Sequence, residues 1–179
     1  MNFTCDRSAL VAQLAVLARG VSSRSALPVL SGILLQVADG RLDLYATDME
    51  ISVKATLAVR SEQTGDIVVP ARLFADIVRN LPGETVRVNT ASEGGMVHVE
   101  GGNAVFSLNA WVASDFPQTS SFDLSGAFSV ARDPFVETLT RVARAASRDE
   151  TRPILTGVLV SLSANSVRIS SAAPSGTAL

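Results

Sequence analysis

Apolar residues return at helical steps in three places along this chain and at alternate positions almost everywhere else. Leu10, Leu14, Leu17 and Val21 form one helical stripe; Phe135, Leu139, Val142 and Ala146 form another with the same steps. Asp133 can cap that later helix, and Pro134 suits its first turn. A further helix is predicted over residues 70–81, with Leu73, Phe74, Ile77, Val78 and Leu81 on one side and Pro82 and Gly83 ending it. Residues 32–38 and 41–47 alternate on either side of Asp39 and Gly40, a strong hairpin signal. Residues 49–59 continue with Met49, Ile51, Val53, Ala55, Leu57 and Val59 at every second place. Residues 67–69 lead into the helix at 70–81, and turn-rich pieces separate strands at 86–90, 96–100 and 104–110. The order reads β-α-β-β-β twice: an α+β domain of repeated units with helices on one side of antiparallel sheets.

The same pattern begins again. Residues 2–42 lie over residues 127–167 without a gap, at an offset of 125. Phe3/Phe128, Arg7/Arg132, Leu14/Leu139, Arg19/Arg144, Ser22/Ser147, Pro28/Pro153, Leu30/Leu155 and Gly32/Gly157 are among the identities. A period this long is one of whole domains, since solenoid units run to about 20–50 residues. Residues 1–124 therefore read as one complete domain and 125–179 as the truncated start of a second, with a polar linker over 116–125.

With 47% hydrophobic residues, 179 residues can bury a core. One cysteine, Cys5, leaves no disulfide framework or cysteine metal site, and no segment reads as a secretion signal or membrane span. A cytoplasmic protein with no membrane contact is expected. The net charge of −2 speaks against a nucleic-acid partner until the charges are placed. The helices and their flanks hold nine of the 15 basic residues and four of the 17 acids, a surplus of five; everything else carries a deficit of seven. At helical pitch, Arg19 and Arg144 stand opposite their apolar stripes, and Arg72 and Arg79 point away from Leu73. One such helix is an ordinary solvated face, with Glu137 and Arg141 as a modest pair. Three in an otherwise acidic chain point to a polyanion facing the helices. Scattered arginines without base-reading Asn or Gln suit phosphate contacts, which position without specifying.

No catalytic constellation emerges. His98 is the lone histidine, set between Val97 and Val99, and no phosphate-cradling glycine loop precedes a helix. Asp39, Asp43, Asp48 and Glu50 read as the solvent face of alternating strands rather than a metal site, so no cofactor is expected. With 5% aromatics there is no stacking platform for single strands. A protein–protein scaffold without DNA contact is the alternative function, which the arginine-bearing helices oppose. A hydrolase using His98 comes third.

Arg24-Ser-Ala-Leu27-Pro28-Val-Leu30, Gly32-Ile-Leu-Leu, Asp39-Gly40, Ala46-Thr47-Asp48, Val69-Pro70-Ala71-Arg72 and Asp115-Phe116-Pro117 resemble the beta subunit of bacterial DNA polymerase III, the sliding-clamp family. The likeness runs to about Ile169. It implies the DNA-clamp fold, with two chains of three similar domains closing head to tail into a homodimeric ring around double-stranded DNA. It implies a non-catalytic processivity factor serving the replicative DNA polymerase and the clamp loader. Arg24 and Arg72 then map to DNA contacts, joined by Arg19, Arg79, Arg141, Arg144, Arg148 and Arg152 on the helices and the second-copy loop. Phe106 and Leu108 map to the subunit interface, and Leu155 to the cleft that grips partner peptides. Residues 170–179 read SSAAPSGTAL and lack the rest of that cleft. They read as a truncated or frame-shifted end, so this chain alone is expected not to close a ring.

Overall fold

The computed structural model describes residues 1–22, 27–90, 95–117, 126–163 and 166–171. They belong to two compact units, Met1–Ser121 and Phe122–Leu179. The first unit runs β1 (Asn2–Asp6), α1 (Arg7–Leu17), β2 (Gly32–Ala38), β3 (Arg41–Thr47), β4 (Ser52–Ala58), β5 (Arg60–Gln63), β6 (Gly65–Pro70), α2 (Ala71–Asn80), β7 (Thr85–Thr90), β8 (Met96–Gly101) and β9 (Ala104–Asn109). The β2–β3 hairpin has the boundaries expected from the sequence. Asp39 and Gly40 both take positive φ, 50° and 72°, which matches the right-handed strand twist.

These strands form two antiparallel sheets, ordered β5-β1-β7-β8-β9 and β4-β3-β2-β6. Each half of the unit keeps its own three-stranded meander and lends its first strand to the other. Phe3 of β1 sits opposite Val88, while Val69 of β6 sits opposite Ile33. That exchange places Phe3, Leu10, Leu14, Leu35, Leu44, Phe74, Val78, Val88 and Val99 in one shared core. The helices run in opposite senses where they meet. Arg7 Nε donates to Gly83 O (2.8 Å) and Arg7 Nη1 to Arg79 O (3.1 Å), so the start of α1 clasps the end of α2.

Several sequence expectations change here. Met49 lies in a turn at φ 78° and Ile51 is exposed, so inward alternation holds only from Val53 to Val59. Leu73 is exposed while Phe74, Ile77, Val78 and Leu81 face the core. Asp43 does not face solvent: it is buried, accepting from Thr56 Oγ1 (2.7 Å) and paired with Arg41 and Lys54 (3.2 Å each). Phe116 is no linker residue, because it is buried beside Val29, Leu30, Leu34 and Val68 in a smaller cluster. The turn at Glu93 and the linker positions 118–125 lie outside the described residues.

The second unit contains α3 (Arg132–Ala143), α4 (Pro153–Thr156), β10 (Val158–Ser163) and β11 (Ser166–Ser171). Asp133 does not cap α3. The N-cap is Ala131, with no side-chain bond, and Asp133 pairs instead with Arg132 at 2.9 Å.

Candidate nucleic-acid interface

The helices carry the arginines on surfaces that packing leaves free. On α1, Leu10, Leu14 and Leu17 are buried, and the following 3-10 turn presents Arg19 to solvent. On α2, Ala71, Phe74, Ile77 and Val78 are buried, leaving Arg72 and Arg79 outside. Because α1 and α2 oppose one another, Arg19 and Arg72 fall at the same end of the pair. Arg7 and Arg79 lie at the other, where Arg7 is spent on helix-end carbonyls and Arg79 on Asp76 at 2.9 Å. Arg19 and Arg72 have no carboxylate partner among the described residues. Two unneutralised guanidinium groups at one end of a helix pair suit a phosphate backbone.

In the second unit, Arg141 is paired with Glu137 one turn earlier. Arg144, at the C-cap of α3, Arg148 and Arg152 are exposed and have no carboxylate partner among the described residues. Arg24 lies outside the described residues. Leu155, mapped by resemblance to the partner-peptide cleft, is not on a strand. It lies in the short helix α4, half-buried, its carbonyl accepting from Ser147 N at 2.9 Å. Phe106 and Leu108 do lie on an edge strand, β9, but with different exposures. Phe106 is 42% exposed, whereas Leu108 is 3% exposed and packed in its own core. Leu108 therefore offers no side-chain surface to a neighbour, and the exposed apolar pair on that edge is Phe106 with Val105. The alternation of β9 could have shown this: Leu108 sits opposite buried Val97.

The remaining titratable groups are structural. Asp6 caps α1: its carboxylate takes hydrogen bonds from Ser8 Oγ and Ala9 N, which hold its pKa below the usual range. Burial, with Asp6 beside it, pushes the Cys5 thiol up to about 12. Asp48 accepts from Ile51 N and Glu50 N, which lower its pKa and close a turn. No group of three or more metal-ligating side chains occurs among the described residues, and none of their helices is long and apolar enough to cross a membrane. Arg7 is the residue whose role the sequence understated. Its identity with Arg132 was the available signal.

The family profile described as the DNA polymerase III beta subunit, N-terminal domain, matches residues 1–120. The chain belongs to that family. The beta sliding clamp of Streptomyces coelicolor is 33% identical over 172 residues, covering 96% of this chain and 45% of the relative. That of Bacillus subtilis is 31% identical over 166 residues, covering 88% and 44%. The crystal structure of the DNA polymerase III subunit beta from Pseudomonas aeruginosa superposes with a TM-score of 0.86 at 31% identity, covering 94% of this chain and 46% of that one. This beta-subunit chain thus spans less than half the length of the relatives it matches, and its paired sheets and helices are those of the clamp fold.

Proposed function

We propose that this chain is the N-terminal part of a DNA sliding clamp, a non-catalytic processivity factor that keeps the replicative polymerase on duplex DNA without reading its sequence. The observation that carries the reading is the pair of exposed, unneutralised arginines, Arg19 and Arg72, at one end of the α1–α2 pair in a chain of net charge −2. Relatives named as beta sliding clamps support it. In this reading residues 1–124 are a full clamp domain and residues 125–179 open a second one. Arg24, Arg79, Arg141, Arg144, Arg148 and Arg152 add to the phosphate-facing set, Arg79 and Arg141 after giving up their acidic partners. Phe106 meets a second chain in a head-to-tail ring, and Leu155 belongs to the cleft for polymerase and clamp loader. The protein works in the cytoplasm.

For these 179 residues alone the expected behaviour is weak duplex binding governed by salt. Anisotropy of a labelled duplex is expected to show affinity falling steeply with ionic strength, and Arg19→Glu and Arg72→Glu are each expected to reduce the salt slope by about one. Affinity that is indifferent to both substitutions and to salt overturns the reading. Retention on circular DNA as firm as that of a complete clamp overturns the expectation of weak binding by the isolated chain.

A further inference from the structure

The outer face of the β4-β3-β2-β6 sheet holds one cation between a ring and a carboxylate, and beside it stand a second ring and carboxylate that hold none. Cross-strand register sets two rows on that face. One runs Lys54, Tyr45, Leu34, Val68 and Trp111; the other runs Thr56, Asp43, Gln36 and Asp66. At the β4 end, Lys54 Nζ lies 5.1 Å from the centre of the Tyr45 ring and 3.2 Å from Asp43 Oδ2. Arg41 is engaged by Asp43 as well. At the β6 end, Trp111 supplies the ring and Asp66 the carboxylate. Asp66 is exposed, and its side chain has no hydrogen bond or ion pair among the described residues.

These groups border a cavity of about 740 Å³, whose lining includes Gln36, Tyr45, Asp66, Trp111 and Phe116. Ligand pockets run to about 300–1,000 Å³. The described lining lies between Leu34 and Pro117, so the first unit itself builds the walls. Asp66 is the one charged residue in that lining. The backbone is open at the same point. β6 is the last strand of its sheet, and Val68 exchanges both backbone bonds with Trp111, at 2.8 and 3.0 Å. Beyond that single bridge the chain turns away through Ala113–Asp115, where Ala113 packs on the cluster of Leu30 and Leu34. Bonding direction alternates along an antiparallel strand, so Asp66, two positions from Val68, aims its N–H and C=O at the same open edge. A chain bonded there carries its own side chain on the face of Asp66, with the two Cα atoms about 5.5 Å apart.

We propose that this edge and cavity bind an extended segment of a partner protein that carries an arginine. The segment pairs with Asp66 as Trp111 pairs with Val68, and its arginine reaches between the Asp66 carboxylate and the Trp111 ring. Charge complementarity selects a cation, because the described lining carries a carboxylate and no basic group. The ring and the carboxylate together select a guanidinium, which stacks on the first and forks to the second. The Gln36 amide oxygen can accept beside it. The free backbone groups of Asp66 select a peptide over a free amine. This surface is separate from the helix arginines, and the proposal does not rest on the clamp reading.

Trp111 is the one tryptophan of the chain, so its emission reports the cavity directly. Titration of the intact chain with a blocked Val-Arg-Val tripeptide is expected to give a saturable change, with a Kd of about 1 mM or tighter. Citrulline in place of the arginine keeps the shape and removes the charge. That exchange, and Asp66→Asn in the protein, are each expected to weaken binding at least about fivefold. N-methylation of the arginine's backbone nitrogen removes the N–H that bonds Asp66 O, and is expected to weaken binding at least about fivefold too. Asp39→Asn removes an exposed acid outside the cavity and is expected to leave peptide affinity unchanged. Asp66→Asn is expected to leave duplex affinity unchanged, so failure here and failure of the clamp reading are told apart. No saturation by about 10 mM, equal binding of the citrulline peptide, indifference to Asp66→Asn or to N-methylation, or an equal loss in Asp39→Asn overturns the proposal.

Discussion

Residues 2–42 and 127–167 carry one pattern and build one hairpin in one register, yet bury very different fractions of it. Leu30 and Leu155 sit after the same hydrogen-bonded turn, and Leu30 is 2% exposed while Leu155 is half-buried. Backbone shape in this segment is thus a local matter, set by alternation along the strands and, in the first copy, by the Asp39–Gly40 turn. Burial is not local. It comes from β6, α2 and β7 in the first unit, elements between 23 and 48 positions past the end of the segment. The comparison separates what a stretch of chain encodes from what its surroundings must supply.

The sharpest way to break that contrast is to truncate equivalent core positions. Leu14→Ala, at a fully packed site, is expected to cost about 2–5 kcal/mol, whereas Leu139→Ala, on the half-covered face of α3, is expected to cost about 1 kcal/mol or less in dilute protein. Urea unfolding followed by tryptophan fluorescence (Trp111 belongs to the first unit) and by hydrogen exchange in α3 measures the two. Equal costs would mean that α3 is as well supported as α1. Asp43 comes next. Its carboxylate is penalised by burial, but the bonds from Thr56 and Lys54 and the charge of Arg41 win and lower its pKa. A lowered folded pKa contributes stability that is present above the unfolded value, about 3.9, and lost as pH falls below it toward the folded value. Asp43→Asn is expected to cost about 1–3 kcal/mol at neutral pH and to flatten the acid limb of an unfolding titration. The second copy places Arg168 at this position, so β11 is expected to show no matching acid sensitivity.

A smaller gain sharpens the same comparison. The first helix is capped by Asp6, and the third has Ala131 there. Ala131→Asp is expected to stabilise α3 by about 0.5–2 kcal/mol, visible as slower amide exchange in its first turn. Smallest in energy, but useful as a probe, is Cys5. With its thiol pushed up to about 12 by burial, it is expected to resist alkylation at pH 8 until the first unit opens. Labelling of native protein at the rate of free cysteine would contradict the packing of β1.

The sequence revealed the elements whose chemistry is local. The 32–47 hairpin is legible because Asp39–Gly40 can adopt the positive φ angles that its turn needs. The arginines of the helices are legible because an apolar stripe defines the opposite face. β5 was not legible: Arg60–Gln63 is polar throughout and pairs only along an edge. The short helix around Leu155 is not legible either, because its apolar neighbours mask a helical turn begun by Pro153. Parity alone puts Asp43 in solvent, because alternation cannot reveal that Thr56, Arg41 and Lys54 converge on it. Resemblance maps Leu108 to an interface, and only the pairing with Val97 shows it turned inward.

The exchanged first strand also bears on how the protein is made. Asn2–Asp6 is synthesised before β2 to β9, yet it lies between β5 and β7 in the finished sheet. Until Thr85–Thr90 has been synthesised it can pair only with the short β5, so its place in the sheet is complete only after most of its domain has followed.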